Sequence, residues 1–146
     1  MVNKLPGTTI EISLQGADSA RELLDGIFMA GGLVLSQVSG LTGLEPYIVQ
    51  NWIKRGFLAP PVHKKYSKRQ FCRIAVINML RDVIQIEKIT SLLSYINGRL
   101  DDESDDIIDD SELYFYYIDA LHCMENDYNA DIIDDRVKKS VEKAVS

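Results

Sequence analysis

Tyr47, Gln50, Asn51 and Lys54 recur at i, i+3, i+4 and i+7. On a helix that spacing sets all four on one stripe. Such a stripe suits the edges of bases in a DNA major groove, where Gln and Asn match the donor and acceptor pattern of adenine. Shortly downstream, Lys64, Lys65, Lys68 and Arg69 crowd cations that suit phosphate oxygens, with Arg55 before them. Phosphate contacts position a protein on a duplex, and base contacts specify the sequence. The stripe would then specify and the basic cluster would supply affinity. The plainer reading of the cluster is a solvated charged face.

The overall charge of −6 argues against a polyanion partner, but its distribution reverses that impression. Residues 33–99 hold ten Lys/Arg and three Asp/Glu, a balance of +7. Residues 100–146 carry a balance of −11, and residues 1–32 a balance of −2. One part of the chain suits polyanions and the rest does not.

Several elements must position these groups. Pro46 suits the first turn of a helix, where its missing N–H is no loss. Gly56 suits the left-handed residue that stops that helix. Ile48, Val49 and Trp52 fall on its inner side. Before it, Ser36 is placed to cap a short helix through Val38 to about Leu41, with Thr42–Glu45 as a tight turn. Helix, short glycine-containing turn and helix together form the helix-turn-helix pattern. Pro60-Pro61 excludes a helix over Phe57–Tyr66, so that tract reads as a small wing or hairpin.

Ser67-Lys68-Arg69-Gln70 is a capping box that opens the next helix. Its apolar positions to Val83 make too wide a stripe for one buried face, so the helix is either central or meets a partner. Ile86, Ile89, Leu92, Leu93 and Ile96 stripe one more helix, closed by Asn97-Gly98. Near the N-terminus, Ile10, Ile12 and Leu14 alternate as in a short strand, though a loosely packed arm fits equally. Ser19–Glu22 is another capping box, and Gly31-Gly32 ends the helix that follows it.

The acidic run Asp101–Asp110 reads as a linker or a solvated helix start. A sharper alternative is a brake that competes with DNA for the basic face. Leu113, Tyr117, Ala120, Leu121 and Met124 set one face of an aromatic-rich helix. Residues 136–145 read as a polar terminal helix.

Other chemistries find little support. Cys72 and Cys123 fit no metal spacing or disulfide framework, which points to a reducing compartment. The adjacent pair His122-Cys123 points two ways on a helix, and the acidic run lacks the glycine and spacing of a calcium loop. No nucleophile–base set or Gly-rich phosphate loop occurs, so we expect no enzyme, no cofactor and no metal. The start of the chain lacks a signal-peptide pattern. The uncharged stretch Gly26–Leu44 contains five glycines and breaks into short helices more readily than it spans a bilayer.

The tracts Leu35-Ser36-Gln37-Val38, Leu41-Thr42-Gly43-Leu44, Arg55-Gly56-Phe57-Leu58-Ala59-Pro60 and Lys65-Tyr66-Ser67 resemble the DNA-binding half of MerR-type regulators. The resemblance covers about residues 33–97, and the whole chain also resembles a small bacterial family of unknown function considered MerR-like. It implies a mainly α fold: a MerR-like winged helix-turn-helix with extra N- and C-terminal helices. Ser36, Tyr47, Gln50, Asn51, Lys54, Arg55, Lys64, Lys65, Tyr66, Lys68 and Arg69 are the implied DNA-binding residues. Where such recognition helices carry Arg then Tyr, this chain has Gln50 and Asn51. The acidic run and the Tyr-rich helix replace the family's long dimer helix. Tyr114, Phe115, Tyr116 and Tyr117 read first as core and interface, and the resemblance adds a small-molecule effector pocket as an alternative.

We therefore expect one unit with three parts: an arm and helix (1–32), a winged helix-turn-helix (33–99), and an acidic linker with C-terminal helices (100–146). The expected function is sequence-specific duplex DNA binding for transcription regulation in the cytoplasm, by a homodimer with no membrane partner. The dimer surface would lie on helix 71–84 or helix 113–124. A protein-interaction adaptor that kept the winged helix and lost DNA is the alternative.

Overall fold

The computed structural model describes residues 3–12, 17–102 and 108–124, which are mainly helical. A two-stranded antiparallel hairpin, β1 (Asn3–Lys4) and β2 (Glu11–Ile12), precedes α1 (Ala17–Ile27). Then follow α2 (Leu35–Thr42), α3 (Pro46–Lys54), α4 (Lys68–Leu80) and α5 (Ile86–Asn97). A further helix, α6, covers residues 110–124. The expected terminal helix over 136–145 lies outside the described residues.

The centre of the fold is α4. Every residue from Gln70 to Ile77 is buried, so side chains on all sides of the helix are covered by the same chain. The wide apolar stripe therefore marks a central helix: the 71–77 half of the expected dimer surface is buried inside the molecule, while 81–84 are exposed. Ser67 starts α4 by the expected capping box: its hydroxyl accepts from the Gln70 N–H at 3.1 Å, and the Gln70 amide oxygen accepts from the Ser67 N–H at 2.7 Å. The Gln70 amide nitrogen also donates to the carbonyls of Ala59 and Pro60 at 3.1 and 2.8 Å. One buried glutamine thus pins the proline strap to the helix it precedes.

The N-terminal segment is a packed hairpin and not a loose arm. Leu5 is fully buried in the common core. Gly7 has φ +73°, and a Cβ there would lie 2.0 Å from the Ala75 carbonyl oxygen, so only glycine lets this turn lie against α4. The Asn78 amide nitrogen donates to the carbonyls of Gly7 and Thr42 at 3.0 and 3.1 Å, tying hairpin, α2 and α4 together.

Two capping expectations change. Ser19 lies inside α1. Ser36 lies inside α2, whose N-cap is Val34, and the Val34 N–H donates to the Gln37 side chain at 2.9 Å. Gln37 competes for that terminus from one turn further on, a partner that the serine pattern did not show.

The face of α6 that turns inward also differs. Tyr114, Phe115 and Ile118 are buried, while Ala120 and Met124 are exposed. The Tyr114 hydroxyl donates to the Pro6 carbonyl. Phe115 packs beneath the Arg21 guanidinium, 4.4 Å from its ring centroid. These contacts rotate the helix away from the phase that its aliphatic residues suggested, and Tyr114 and Phe115 fill core.

Candidate functional site

The first half of the candidate site is the outer stripe of α3. Gly43, at φ +74°, ends α2, and Leu44 and Glu45 complete a three-residue turn into Pro46. Leu44 is buried at the turn, and its carbonyl accepts from the Ser39 hydroxyl. Val49 and Trp52 are buried on the inner side of α3. That orientation leaves Tyr47, Gln50, Asn51 and Lys54 exposed, Tyr47 at 67%. Ser36 is exposed on α2. The Arg81 guanidinium lies 5.8 Å from the centroid of the Trp52 ring.

The second half is the wing. Val62 and Lys65 exchange both backbone hydrogen bonds, at 3.1 and 3.0 Å, around His63 and Lys64. His63 and Lys64 have φ +50° and +63°, the pair of positive values that a tight hairpin turn demands. Non-glycine residues rarely take them, so two polar side chains stand where Asn-Gly would fit with less strain. Leu33 and Tyr66 form a second bridge, with bonds of 2.9 and 2.7 Å, that ties the base of the wing to the approach to α2.

Tyr66 differs from the rest of the predicted set. It is 2% exposed, and burial pushes its hydroxyl above the ordinary tyrosine range. Its side chain belongs to the common core.

The predicted cations divide into two groups. Lys54, Lys64 and Lys65 are exposed, with no carboxylate within salt-bridge distance among the described residues. Three others already hold carboxylates. Arg55 meets Glu87 at 3.2 Å and stacks on Phe57. Lys68 meets Asp25 at 2.9 Å. Arg69 faces Asp110 at 3.4 Å and Asp109 at 3.9 Å. The end of the acidic run thus docks on α4 and is not a free linker.

Arg73 is the hub of that docking and was missed as a key residue. It is 2% exposed, and its Nε donates to Asp110 at 2.8 Å. Its Nη1 donates to the Leu100 carbonyl at 2.7 Å and the Phe57 carbonyl at 3.5 Å. The signal was present, because a charge inside an otherwise buried helix must find a partner. Only the partner's identity was not legible. Asn97 completes the junction: its side chain donates to the Ile108 carbonyl at 2.9 Å and accepts from the Ile108 N–H at 3.0 Å. Burial alone would raise the pKa of Asp109. Hydrogen bonds from the Ser111 hydroxyl and backbone, with Arg69 nearby, outweigh burial and hold the carboxyl below its ordinary range.

Two cavities adjoin these elements. One, of about 450 Å³, is lined by Ile27, Leu33, Gln37, Gly40 and Leu41 between α1 and α2. The other, of about 640 Å³, lies between the end of α1 and the wing. It brings together Lys65 and Lys68 from the predicted set with His63, which the sequence reading had not singled out. Among the described residues no group of three or more His, Cys, Asp or Glu side chains is placed to hold a metal ion, and no helix is long and apolar enough to cross a membrane.

Residues 31–117 match the family described as Domain of unknown function (DUF1836), and the chain belongs to that family. The match begins just before α2 and ends within α6, so it takes in α3, the wing, α4 and the Arg73 junction. The chain is also 30% identical over 95 residues to "Uncharacterized protein YkrK" of Bacillus subtilis (strain 168), covering 60% of this chain. It spans about 41% of the length of that relative. No solved structure matches the chain.

Proposed function

We propose that this protein binds duplex DNA in a sequence-specific manner and regulates transcription as a MerR-like winged helix-turn-helix protein. The observation that carries this reading is the joint exposure of Tyr47, Gln50, Asn51 and Lys54 on a helix entered through a tight turn. In the complex α3 lies in the major groove, with Gln50 and Asn51 facing base edges. Lys64 and Lys65 on the wing turn meet backbone phosphates. The protein acts as a homodimer, because one helix of this length reads few bases and a second half-site multiplies specificity.

The test is binding to random and then selected duplexes across a salt series. Each neutralised phosphate contributes about −0.9 to the slope of log affinity against log salt. Lys54, Lys64 and Lys65, which have no carboxylate partner among the described residues, give a slope of about −2.7 per protomer. Replacing all three with alanine should abolish most of that slope. A slope near zero in the unmodified chain would overturn the reading.

One observation favours a second reading, a protein-interaction adaptor with this architecture. Arg55, Lys68 and Arg69 spend their charges on Glu87, Asp25, Asp109 and Asp110, which weakens the field available to a polyanion. Absence of DNA binding even at about 50 mM salt, where such contacts are strong, would move the assignment to the adaptor.

A further inference from the structure

We propose that the cleft between the end of α1 and the wing binds a small organic oxyanion, a phosphate or carboxylate carried on an apolar body. It is a groove open to solvent, with about 640 Å³ of space along its walls. Phe28 and Val62 supply the apolar wall, and Lys65 and Lys68 the cations. Phe28 is held from behind by Phe71, ring centroids 5.7 Å apart.

The glycines let the segment after α1 lie directly against the base of the wing. A Cβ on Gly32 would lie 2.7 Å from the Tyr66 carbonyl oxygen and 2.8 Å from the Lys65 Cβ, so no side chain fits there. Gly31 has φ +116°, and a Cβ built on it would lie 3.9 Å from the Lys65 Nζ. The Lys65 ammonium therefore stands beside bare Gly31 backbone at the cleft.

Charge defines the missing group. Lys68 is already matched by Asp25 at 2.9 Å, whereas Lys65 has no carboxylate within salt-bridge distance among the described residues. Two ammonium groups and one carboxylate give the cleft a net positive charge, which favours a ligand with an anionic end. The apolar wall calls for a body as well, which a bare duplex phosphate lacks. His63 also lines the cleft, from a turn position with φ +50°. A seated ligand would hold this turn and with it Lys64. Control of DNA affinity through Lys64 rests on the DNA reading above, but the binding of the anion does not.

The experiment titrates the full chain with phenyl phosphate and follows backbone amide resonances, with inorganic phosphate, phenol and a short duplex as parallel probes. The expected result is saturable shifts at Gly31, Gly32, His63 and Lys65, with half-saturation at about 1 mM or below. Lys65→Ala, an exposed change that leaves the fold intact, should weaken phenyl phosphate about tenfold or more, as loss of a charge-assisted contact does. Inorganic phosphate and phenol should each bind more weakly than phenyl phosphate. Unsaturable shifts, or shifts that Lys65→Ala leaves unchanged, would overturn the site. Phenol binding as well as phenyl phosphate would overturn the anion class. Duplex DNA that shifts the same amides and displaces phenyl phosphate competitively would assign the cleft to the DNA backbone instead. A chain that binds phenyl phosphate but no DNA would retain this site and lose only the proposed function.

Discussion

The wing and the first turns of α4 are parts of one basic tract in sequence, yet they meet opposite surroundings. Lys64 and Lys65 sit on a hairpin turn whose geometry carries them away from the core, and no carboxylate reaches them among the described residues. Lys68, Arg69 and Arg73 sit on the central helix, where α1 brings Asp25 and the start of α6 brings Asp109 and Asp110. Charge density along a chain is therefore a poor guide to free charge on a surface. What matters is which element a cation stands on and what packs against that element. The same comparison bears on the acidic run. Its end meets the basic tract through Asp109, which faces Arg69, and through Asp110, 2% exposed, beside the equally buried Arg73. The Arg73–Asp110 contact belongs to the core of the fold.

The sharpest way to break this comparison is Asp110→Ala. It leaves the Arg73 guanidinium buried without its carboxylate, and breaking such a pair is expected to cost about 3–5 kcal/mol in a urea unfolding experiment. Replacing both partners, as Arg73→Met with Asp110→Leu, should recover most of that loss, since well-packed apolar substitutes often match a buried pair. A loss below about 1 kcal/mol for Asp110→Ala would show that the acidic segment is only a surface contact.

The next effect tests the proposed DNA reading. Asn51→Ala should cost about 1–3 kcal/mol against the best duplex and relax its sequence preference. Lys64→Ala with Lys65→Ala should weaken all duplexes alike and flatten the salt slope by about 2. Lys68→Ala should leave that slope nearly unchanged, because Asp25 already neutralises it. Equal slope changes for the two sites, measured by fluorescence anisotropy, would erase the distinction between wing and helix.

A smaller effect should separate the two regions by pH. Asp109 has a folded pKa below its ordinary value, so the unfolded chain takes up its proton first as pH falls. Its contribution to stability is complete above the ordinary carboxylate range and disappears as pH falls through the lower folded value. Asp109→Asn should therefore flatten the acid limb of a stability-versus-pH curve. Curves for the two proteins that stay parallel from neutral pH down to acid would exclude this clamp. The smallest change should come from Glu87→Gln, which removes a solvent-exposed partner of Arg55 and is expected to leave the urea midpoint nearly unchanged.

Local grammar made much of the helical framework legible. Pro46, the Ser67–Gln70 capping box, and Gly43, Gly56 and Gly98 with their positive φ values each act within a few residues, so they mark helix limits without tertiary information. The exposed stripe on α3 was legible for the same reason: Val49 and Trp52 fix the inner side, and spacing along the helix then fixes the outer one. Where the reading failed, a distant partner had intervened. Ser36 and Ser19 looked like caps because the serine pattern says nothing of where neighbouring turns begin. Tyr66 looked like a surface contact because nothing near it in sequence reveals its bridge to Leu33. The phase of α6 depended on Pro6, Arg21 and α4, none of them close along the chain.

The sequence alone determined that the chain is mainly helical, where several of its helices begin and end, and which α3 residues share an outer stripe. These follow from backbone stereochemistry and side-chain period, which act over about one or two turns of helix. Only the tertiary structure decided which cations meet a carboxylate, that the middle of α4 is enclosed on all sides, and that a cleft opens beside the wing. Those outcomes depend on carboxylates and apolar faces brought together from 16 to more than 100 residues away, as with Arg73 to Phe57 and Tyr114 to Pro6. Electrostatic and packing terms depend on distance in space, and spacing along the chain does not fix that distance.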